Sequence, residues 1–217
     1  MKIFALSLCF FCNFISIGQK SYYFSDPLPS RPNGVQQIDE RCYGRYVSSN
    51  NDLVYEVGTE GIRIVSTNIS FIDRATIRES SKYDVRNNFI FGVVDGDSLP
   101  CVLKDDRYYF GVRNRDMLIG AGMPNILVKI SSSEYVVNYF ENELYTPAIF
   151  KFTSGQLEVR SFDYDIDTEI FDGVNLKRTI PREDPNVVVL SPSEEEFEAL
   201  REAGILEIST IYKKEIE

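Results

Sequence analysis

Short apolar runs separated by turn residues dominate the chain from residue 42 onwards. The runs are rich in Val, Ile, Tyr or Phe and end at Asn, Asp, Ser or Gly, which is typical of β-strands. Because the connections are short, the pattern favours antiparallel neighbours, since parallel pairing needs crossovers of about a dozen residues or more. The predicted strands are CYGRYV (42–47), LVYEVG (53–58), IRIVS (62–66), ISFIDRATIRES (69–80), NFIFGVV (88–94), LPCVLK (99–104), RYYFGVR (107–113), DMLIG (116–120), NILVKIS (125–131), EYVVNYF (134–140), TPAIFKF (146–152) and QLEVRSFDYDID (156–167).

One segment near the C-terminus has helical periodicity instead. Ser191 is a suitable N-cap there, and Gly204 is a suitable C-terminal cap. We therefore predict a helix over 192–203 that packs onto the sheet, followed by a final strand over 205–214. The fold class predicted from the whole pattern is all-β, a mainly antiparallel meander that forms a barrel or a strongly curved sheet with one C-terminal helix.

The N-terminus has the pattern of an export signal. A positive charge at Lys2 precedes an apolar run over Ile3–Ile17 that ends in small residues. The run is short for a bilayer span, which needs about 20 residues. We predict a signal peptide over 1–18, cleavage before Gln19, and a periplasmic or extracellular mature protein with no integral membrane segment.

The chain after the signal divides into a short lead-in and one domain. Residues 19–41 contain three prolines and little periodicity, which predicts an extended lead-in over the surface. Residues 42–217 are predicted to form a single β-rich domain, because about 200 residues suffice for one domain with a substantial core.

Composition excludes several classes of function. The chain contains no histidine, which removes the usual general base, the Ser-His and Cys-His nucleophile pairs and the commonest zinc ligand. Its net charge of −10 repels phosphate backbones, so we predict no nucleic-acid partner.

Acidic residues at alternate positions near residue 163 allow two interpretations. In a strand, Asp163, Asp165 and Asp167 share one solvated face, and we favour this interpretation. The same three residues also match the first ligand positions of an EF-hand-like calcium loop. Thr168 stands where such a loop needs Gly, and Val174 stands where it needs Glu. An irregular calcium site, or a catalytic pair of carboxylates, remain as alternatives.

Two cysteines lie beyond the predicted signal, Cys42 and Cys101. In an oxidising compartment, they form either a disulfide or two buried thiols that pack as small apolar side chains. The aromatic runs SYYF (21–24) and RYYFGV (107–112) also have two interpretations. We favour core and cross-strand packing, with an aromatic platform for a sugar or an apolar ligand as the alternative.

The order of the predicted elements resembles that of the lipocalin-like, or calycin, β-barrels. The resemblance rests on an early Gly-x-aromatic strand at Gly44 and Tyr46, followed by antiparallel strands, one C-terminal helix and a closing strand. It implies a cavity for a small apolar molecule. The layout is also similar to that of many exported bacterial all-β proteins.

The function predicted from these patterns is an exported, non-catalytic binding or interaction module. Its expected partner is a small apolar molecule or an envelope protein. One alternative is a carboxylate-based hydrolase acting on envelope or extracellular glycans, since carboxylates remain available for such chemistry. The other alternative is a structural module stabilised by calcium, the one cofactor that the pattern suggests.

Overall fold

The computed structural model describes residues 20–29, 37–49, 53–162, 164–181 and 184–215, and the predicted signal peptide lies outside them. The strands are β1 (Ser21–Phe24), β2 (Gly44–Val47), β3 (Leu53–Gly58), β4 (Gly61–Asp73), β5 (Asp84–Arg86), β6 (Phe89–Phe91), β7 (Ser98–Lys104), β8 (Arg107–Ile119), β9 (Ile126–Lys129), β10 (Glu134–Glu141), β11 (Leu144–Thr153), β12 (Gln156–Ser161), β13 (Arg178–Thr179), β14 (Val187–Leu190) and β15 (Ile208–Lys214). The helices are a 3₁₀ turn (Glu40–Cys42), α1 (Arg74–Glu79), α2 (Tyr164–Gly173) and α3 (Glu194–Glu202).

The predicted all-β class is confirmed, since 53% of the residues are in strands and 13% are helical. All strands belong to one large sheet in the order β13-β14-β1-β11-β12-β15-β2-β3-β4-β8-β7-β6-β5, with β10 paired to β11 and β9 paired to β10. Pairing is antiparallel except between β1 and β14, which are parallel. Among the described residues, every helix is too short or too polar to cross a bilayer.

Tight turns explain why antiparallel pairing could be predicted. The pairs Asn87–Asn88, Asp105–Asp106 and Asn142–Glu143 each connect two consecutive strands, and all six residues have positive φ. Two successive residues with positive φ define a type I′ hairpin turn, whose twist matches that of the flanking strands. Asn and Asp tolerate this conformation better than other non-glycine residues.

The sheet curves around its main core without closing. Leu118 and Ile119 of β8 share that core with Leu127 of β9, so the two strands lie near each other. Within the described residues, however, β9 pairs only with β10. The closed barrel, one of the two predicted forms, is therefore wrong, and the alternative of a strongly curved sheet describes the fold.

Aromatic side chains fill the inside of the curved sheet. The ring of Tyr55 contacts the rings of Phe150 and Tyr212 edge to face, at centroid distances of 5.3 and 4.8 Å. Tyr46 contacts Phe152 in the same way at 5.6 Å. All five rings are buried, and such contacts add about 0.5–1.5 kcal/mol each beyond their burial.

A second apolar cluster includes the segment that was expected to lie over the surface. Tyr22 and Phe24 of β1 are buried and pack with Phe171 of α2 and with Phe197 and Leu200 of α3. The described start of the lead-in, β1, is therefore part of the sheet and its core. Alternation in SYYF accounts for this, because Tyr22 and Phe24 lie on the same side of the strand.

Residues 164–173 form α2, so the interpretation of this acidic stretch as a strand face is wrong. The predicted strand over 156–167 ends at Ser161. Phe171 is fully buried, and Ile170 and Val174 pack against the same cluster. Val174 follows Ile170 by four positions and Phe171 by three, and this spacing places all three side chains on one face of a helix. A short stretch can fit both the strand period and the helix period. Here the packing of Phe171 against β1 favours the helix.

The C-terminal helix begins two residues later than predicted. Ser193, and not Ser191, is the N-cap, and its hydroxyl accepts a hydrogen bond from the Glu196 amide at 3.2 Å. The Glu196 carboxylate accepts one in return from the Ser193 amide at 2.7 Å. This reciprocal capping box stabilises the first turn. Gly204 follows the helix with φ +95°, as its predicted role near the C-terminal cap requires.

Candidate functional site

Strands β4 and β8 continue beyond the rest of the sheet. β3 pairs with β4 only over Gly61–Ser66, whereas the ladder between β4 and β8 extends to Asp73 opposite Arg107. The additional seven residues are about 20 Å long. β7, β6 and β5 add to this part of β8 in that order. We call residues 67–113 the arm.

One face of the arm is covered by α1. β4 and β5 are consecutive in the chain but lie at opposite edges of the arm, so the connection between them must cross one face. Ile77 of α1 packs there against the small core of Ile90, Cys101 and Phe110. The predicted strand over 69–80 is therefore wrong beyond Asp73, where the chain turns into a helix to make this crossing.

The opposite face of the arm is apolar and exposed. In the register of the sheet, Phe71 lies opposite Tyr109, which in turn lies opposite Val102 of β7. The side chain of Ile69 is 80% exposed and that of Val102 is 69% exposed. We call the following residues the apolar face: Ile69, Phe71, Phe89, Phe91, Val102 and Tyr109.

Ion pairs lie beside the aromatic rings of the apolar face. Arg107 donates from Nε to Oδ1 of Asp73 at 3.0 Å, and its guanidinium carbon lies 4.4 Å from the centre of the Phe71 ring. The hydrogen bond to Asp73 raises the pKa of Arg107. Arg86 similarly pairs with Asp84 and lies 5.9 Å from the ring of Phe91. The charges on this surface are thus held next to aromatic rings in cation–π geometry.

The sequence contained only a partial signal for this surface. Within RYYFGV, Tyr109 lies on the apolar face, whereas Phe110 belongs to the core under α1. Core packing therefore holds for Phe110, whereas the aromatic platform for a sugar or an apolar ligand stays a prediction. In β4, Phe71 and Ile72 are both apolar, so alternation could not show which face α1 would cover.

The predicted calcium ligands are only partly described. Asp163 lies outside the described residues, and Asp165 and Asp167 lie in α2. Within the described part of the chain, no three acidic or cysteine side chains converge as metal ligands would. The calcium site therefore stays a prediction. It assumed a loop, whereas Asp165 and Asp167 lie in a helix.

Cys42 and Cys101 are free thiols in separate clusters, so this structure has the two buried thiols and not the disulfide that was the other alternative. Cys42 belongs to the main core, whereas Cys101 belongs to the small core of the arm. Burial raises the pKa of both thiols. This lowers the fraction of the reactive thiolate at neutral pH.

We expect Cys42 and Cys101 to resist alkylation in the native protein and to react once it is unfolded. Burial limits the access of the reagent, and the raised pKa limits the thiolate. Peptide mapping by mass spectrometry after iodoacetamide treatment, with and without urea, measures this. Full labelling of either residue under native conditions would contradict the burial, and a peptide linking the two would support the disulfide.

A groove of about 860 Å³ lies at the gap between β8 and β9. It is lined by Met117 and Ile119 of β8, by residues 120–123 and Asn125 of the following loop, and by Leu127. Its size is within the range of small-molecule sites. Tyr46, which is part of the lipocalin-like resemblance, lies elsewhere: its ring is buried and its hydroxyl donates to the Cys42 carbonyl at 2.8 Å.

Two carboxylates with shifted pKa values pair with arginine. The hydrogen bond from Arg41 lowers the pKa of Asp39, and the hydrogen bond from Arg160 lowers that of Glu158. A general acid in glycoside hydrolysis needs a raised pKa instead. Neither residue therefore supports the hydrolase, which stays a prediction.

Comparison with protein families, curated proteins and solved structures gave no match to this chain.

Proposed function

We propose that this protein is an exported, non-catalytic interaction module that binds another protein through the apolar face of the arm. The observation that carries the proposal is the exposure of five apolar side chains, next to the half-buried Tyr109, on one face of a sheet whose other face is covered by α1. Contiguous exposed apolar surface in a water-soluble protein marks interaction sites. The predicted signal over 1–18 supports export to the envelope or the exterior.

The composition of the apolar face favours a protein partner over a sugar or a nucleic acid. Four of its six side chains are aromatic, and Arg86 and Arg107 lie over two of the rings. Aromatic residues and Arg are the types enriched in protein interfaces, and they supply most hot spots. The expected partner surface is apolar in its centre, with polar groups placed to meet the paired charges.

Replacing Val102 with glutamate should abolish this binding without unfolding the protein. The side chain is 69% exposed in the native arm, so the added charge is solvated when the protein is free and desolvated when a partner covers it. Val102→Thr is the matched control, because threonine keeps the branched shape favoured in strands. Circular dichroism and thermal melting test whether both variants fold.

A displayed library of random peptides is a suitable probe, because the natural partner is not identified. We expect selected peptides to be rich in apolar residues, to bind wild type and Val102→Thr alike, and to bind Val102→Glu at least tenfold more weakly. Equal binding to all three chains would refute the proposal. Sedimentation with vesicles of zwitterionic and anionic phospholipid tests the other class of partner, and vesicle binding lost only in Val102→Glu would assign the face to membranes instead.

A further inference from the structure

Among the described residues, no strand pairs with the outer edge of β4 along the arm. β3 occupies this edge as far as Ser66, and over Thr67–Asp73 the described strands pair with β4 only on the side of β8. Backbone N–H and C=O groups at alternate positions of an edge strand point away from the sheet and are available for pairing. α1 leaves Asp73 across the covered face, so it runs away from this edge.

This edge lacks the protection that other edges of the sheet have. Its sequence, TNISFID (67–73), contains no Lys, Arg or Pro. β5, at the far side of the arm, is only three residues long and has a charged residue at each end, and β13 is only two residues long. Short strands and charged residues prevent edges from pairing with other chains. The open edge of β4 is seven residues long and has a single charged residue, Asp73 at its end, so it is suited to pairing.

We propose that a second copy of this chain pairs with the open edge, so that two arms form one continuous antiparallel sheet. The proposal deepens the proposed function, on which it rests, because it extends the apolar face across both copies. The open segment ends at Ser66, where β3 begins to pair, and at Asp73, where β4 ends. Antiparallel pairing that uses all of it places a two-fold axis at its centre, Ser70.

The segment is complementary to itself in this register. Ile69 of each copy lies opposite Phe71 of the other, a pair of a branched and an aromatic side chain that stabilises antiparallel sheets. Asp73 lies opposite Thr67, so no two like charges face each other. A two-fold interface requires this kind of self-complementarity. Since opposite residues share a face, the apolar faces of both copies lie on the same side.

Sedimentation velocity of the full chain tests the proposal through a lysine at the axis. We expect wild type to form dimers in the micromolar to sub-millimolar range, and Ser70→Lys to raise the dimer dissociation constant at least tenfold, because the two lysines meet directly. Ser132→Lys, in an exposed turn, is the matched control and should leave dimerisation unchanged. Added salt should strengthen the wild-type dimer, since each copy has a net charge of −10.

Cysteine cross-linking tests the register. Ser70→Cys should form a disulfide-linked dimer with oxidised glutathione, because directly opposite residues have Cβ atoms about 4.5–5.5 Å apart. Thr67→Cys should not, since its two copies are about 20 Å apart along the strands. The experiment uses chains that begin at Gln19, in which the native thiols are Cys42 and Cys101, both buried, and wild type provides the background.

The results separate this proposal from the proposed function. Edge pairing is overturned if wild type stays monomeric and Ser70→Cys does not cross-link, or if a dimer forms that Ser70→Lys leaves intact. Val102 lies two strands away from the edge, so Val102→Glu should lose peptide binding and keep the dimer. If Ser70→Lys fails to fold, the cross-linking of Ser70→Cys still tests whether the open edges of two copies pair.

Discussion

Replacing Asn138 with aspartate should lower the free energy of unfolding by about 3–5 kcal/mol, the usual cost of a buried charge without a partner. Asn138 is fully buried. Its Oδ1 accepts a hydrogen bond from the Leu28 amide at 2.8 Å, and its Nδ2 donates to the Leu28 carbonyl at 2.9 Å and to the Ile126 carbonyl at 3.4 Å. A carboxylate keeps the first of these bonds and places a negative charge against both carbonyl oxygens.

Urea unfolding measures the effect, and Asn125→Asp is the matched control. Asn125 also bonds two backbone groups, since its Nδ2 donates to the Leu118 carbonyl and its Oδ1 accepts from the Phe140 amide, both at 2.9 Å. It is only partly buried, so its charge stays hydrated and the loss should be about 1 kcal/mol. Acidification should restore part of the Asn138→Asp loss, because a protonated carboxyl group again has a donor. Equal losses at the two positions would contradict the role of burial.

Asn138 also shows where sequence reasoning reached its limit. The composition of EYVVNYF correctly predicted a strand, because a short run rich in Val and Tyr is a local property of the chain. That the amide of Asn138 would hold the backbone of Leu28, 110 residues earlier, depends on which strands become neighbours. The segment of Leu28 was accordingly expected on the surface, and its burial could not be predicted.

The arm illustrates the same limit for the candidate site. Strands β4, β6, β7 and β8 and the turn at Asp105–Asp106 were predicted, because an Asp pair between apolar runs has a local structural meaning, whereas β5 and the turn at Asn87–Asn88 were not. The path of α1 across the sheet could not be predicted, since the segment RATIRE (74–79) follows a strand without a break in polarity. Only that path determines that Phe110 is buried and that Phe71 is exposed. The apolar face is therefore a property of topology, and composition alone does not reveal it.

Above pH 10 the protein should lose stability progressively, through the tyrosines of its core. Burial raises the pKa of Tyr46 and of Tyr139 to about 12, and it raises that of Tyr55 further. Their ordinary pKa is about 10. Below pH 10 these tyrosines are neutral in both the folded and the unfolded state, so they do not make the free energy of unfolding depend on pH. Above it, they ionise in the unfolded chain but stay protonated in the fold, so the unfolded state binds fewer protons and stability falls as pH rises.

The loss should reach about 2 kcal/mol for each of Tyr46 and Tyr139 by pH 12, given that one pKa unit is about 1.4 kcal/mol. Circular dichroism and the absorbance of tyrosinate, recorded on the same samples against pH, measure it. We expect the last tyrosines to ionise together with the loss of the β-sheet signal, because unfolding is what exposes them to water.

Two phenylalanine variants identify the groups responsible. Tyr139→Phe removes a core hydroxyl whose ionisation favours unfolding, so the pH midpoint of alkaline unfolding should rise. Tyr109→Phe, on the apolar face outside the core, should leave the midpoint unchanged. Complete ionisation of tyrosine before any change in circular dichroism would show that water reaches the core hydroxyls in the folded state. The aromatic interior would then be open to small molecules, as the lipocalin-like resemblance implies. That result would favour the binding of a small molecule in the core over the binding of a protein partner on the arm.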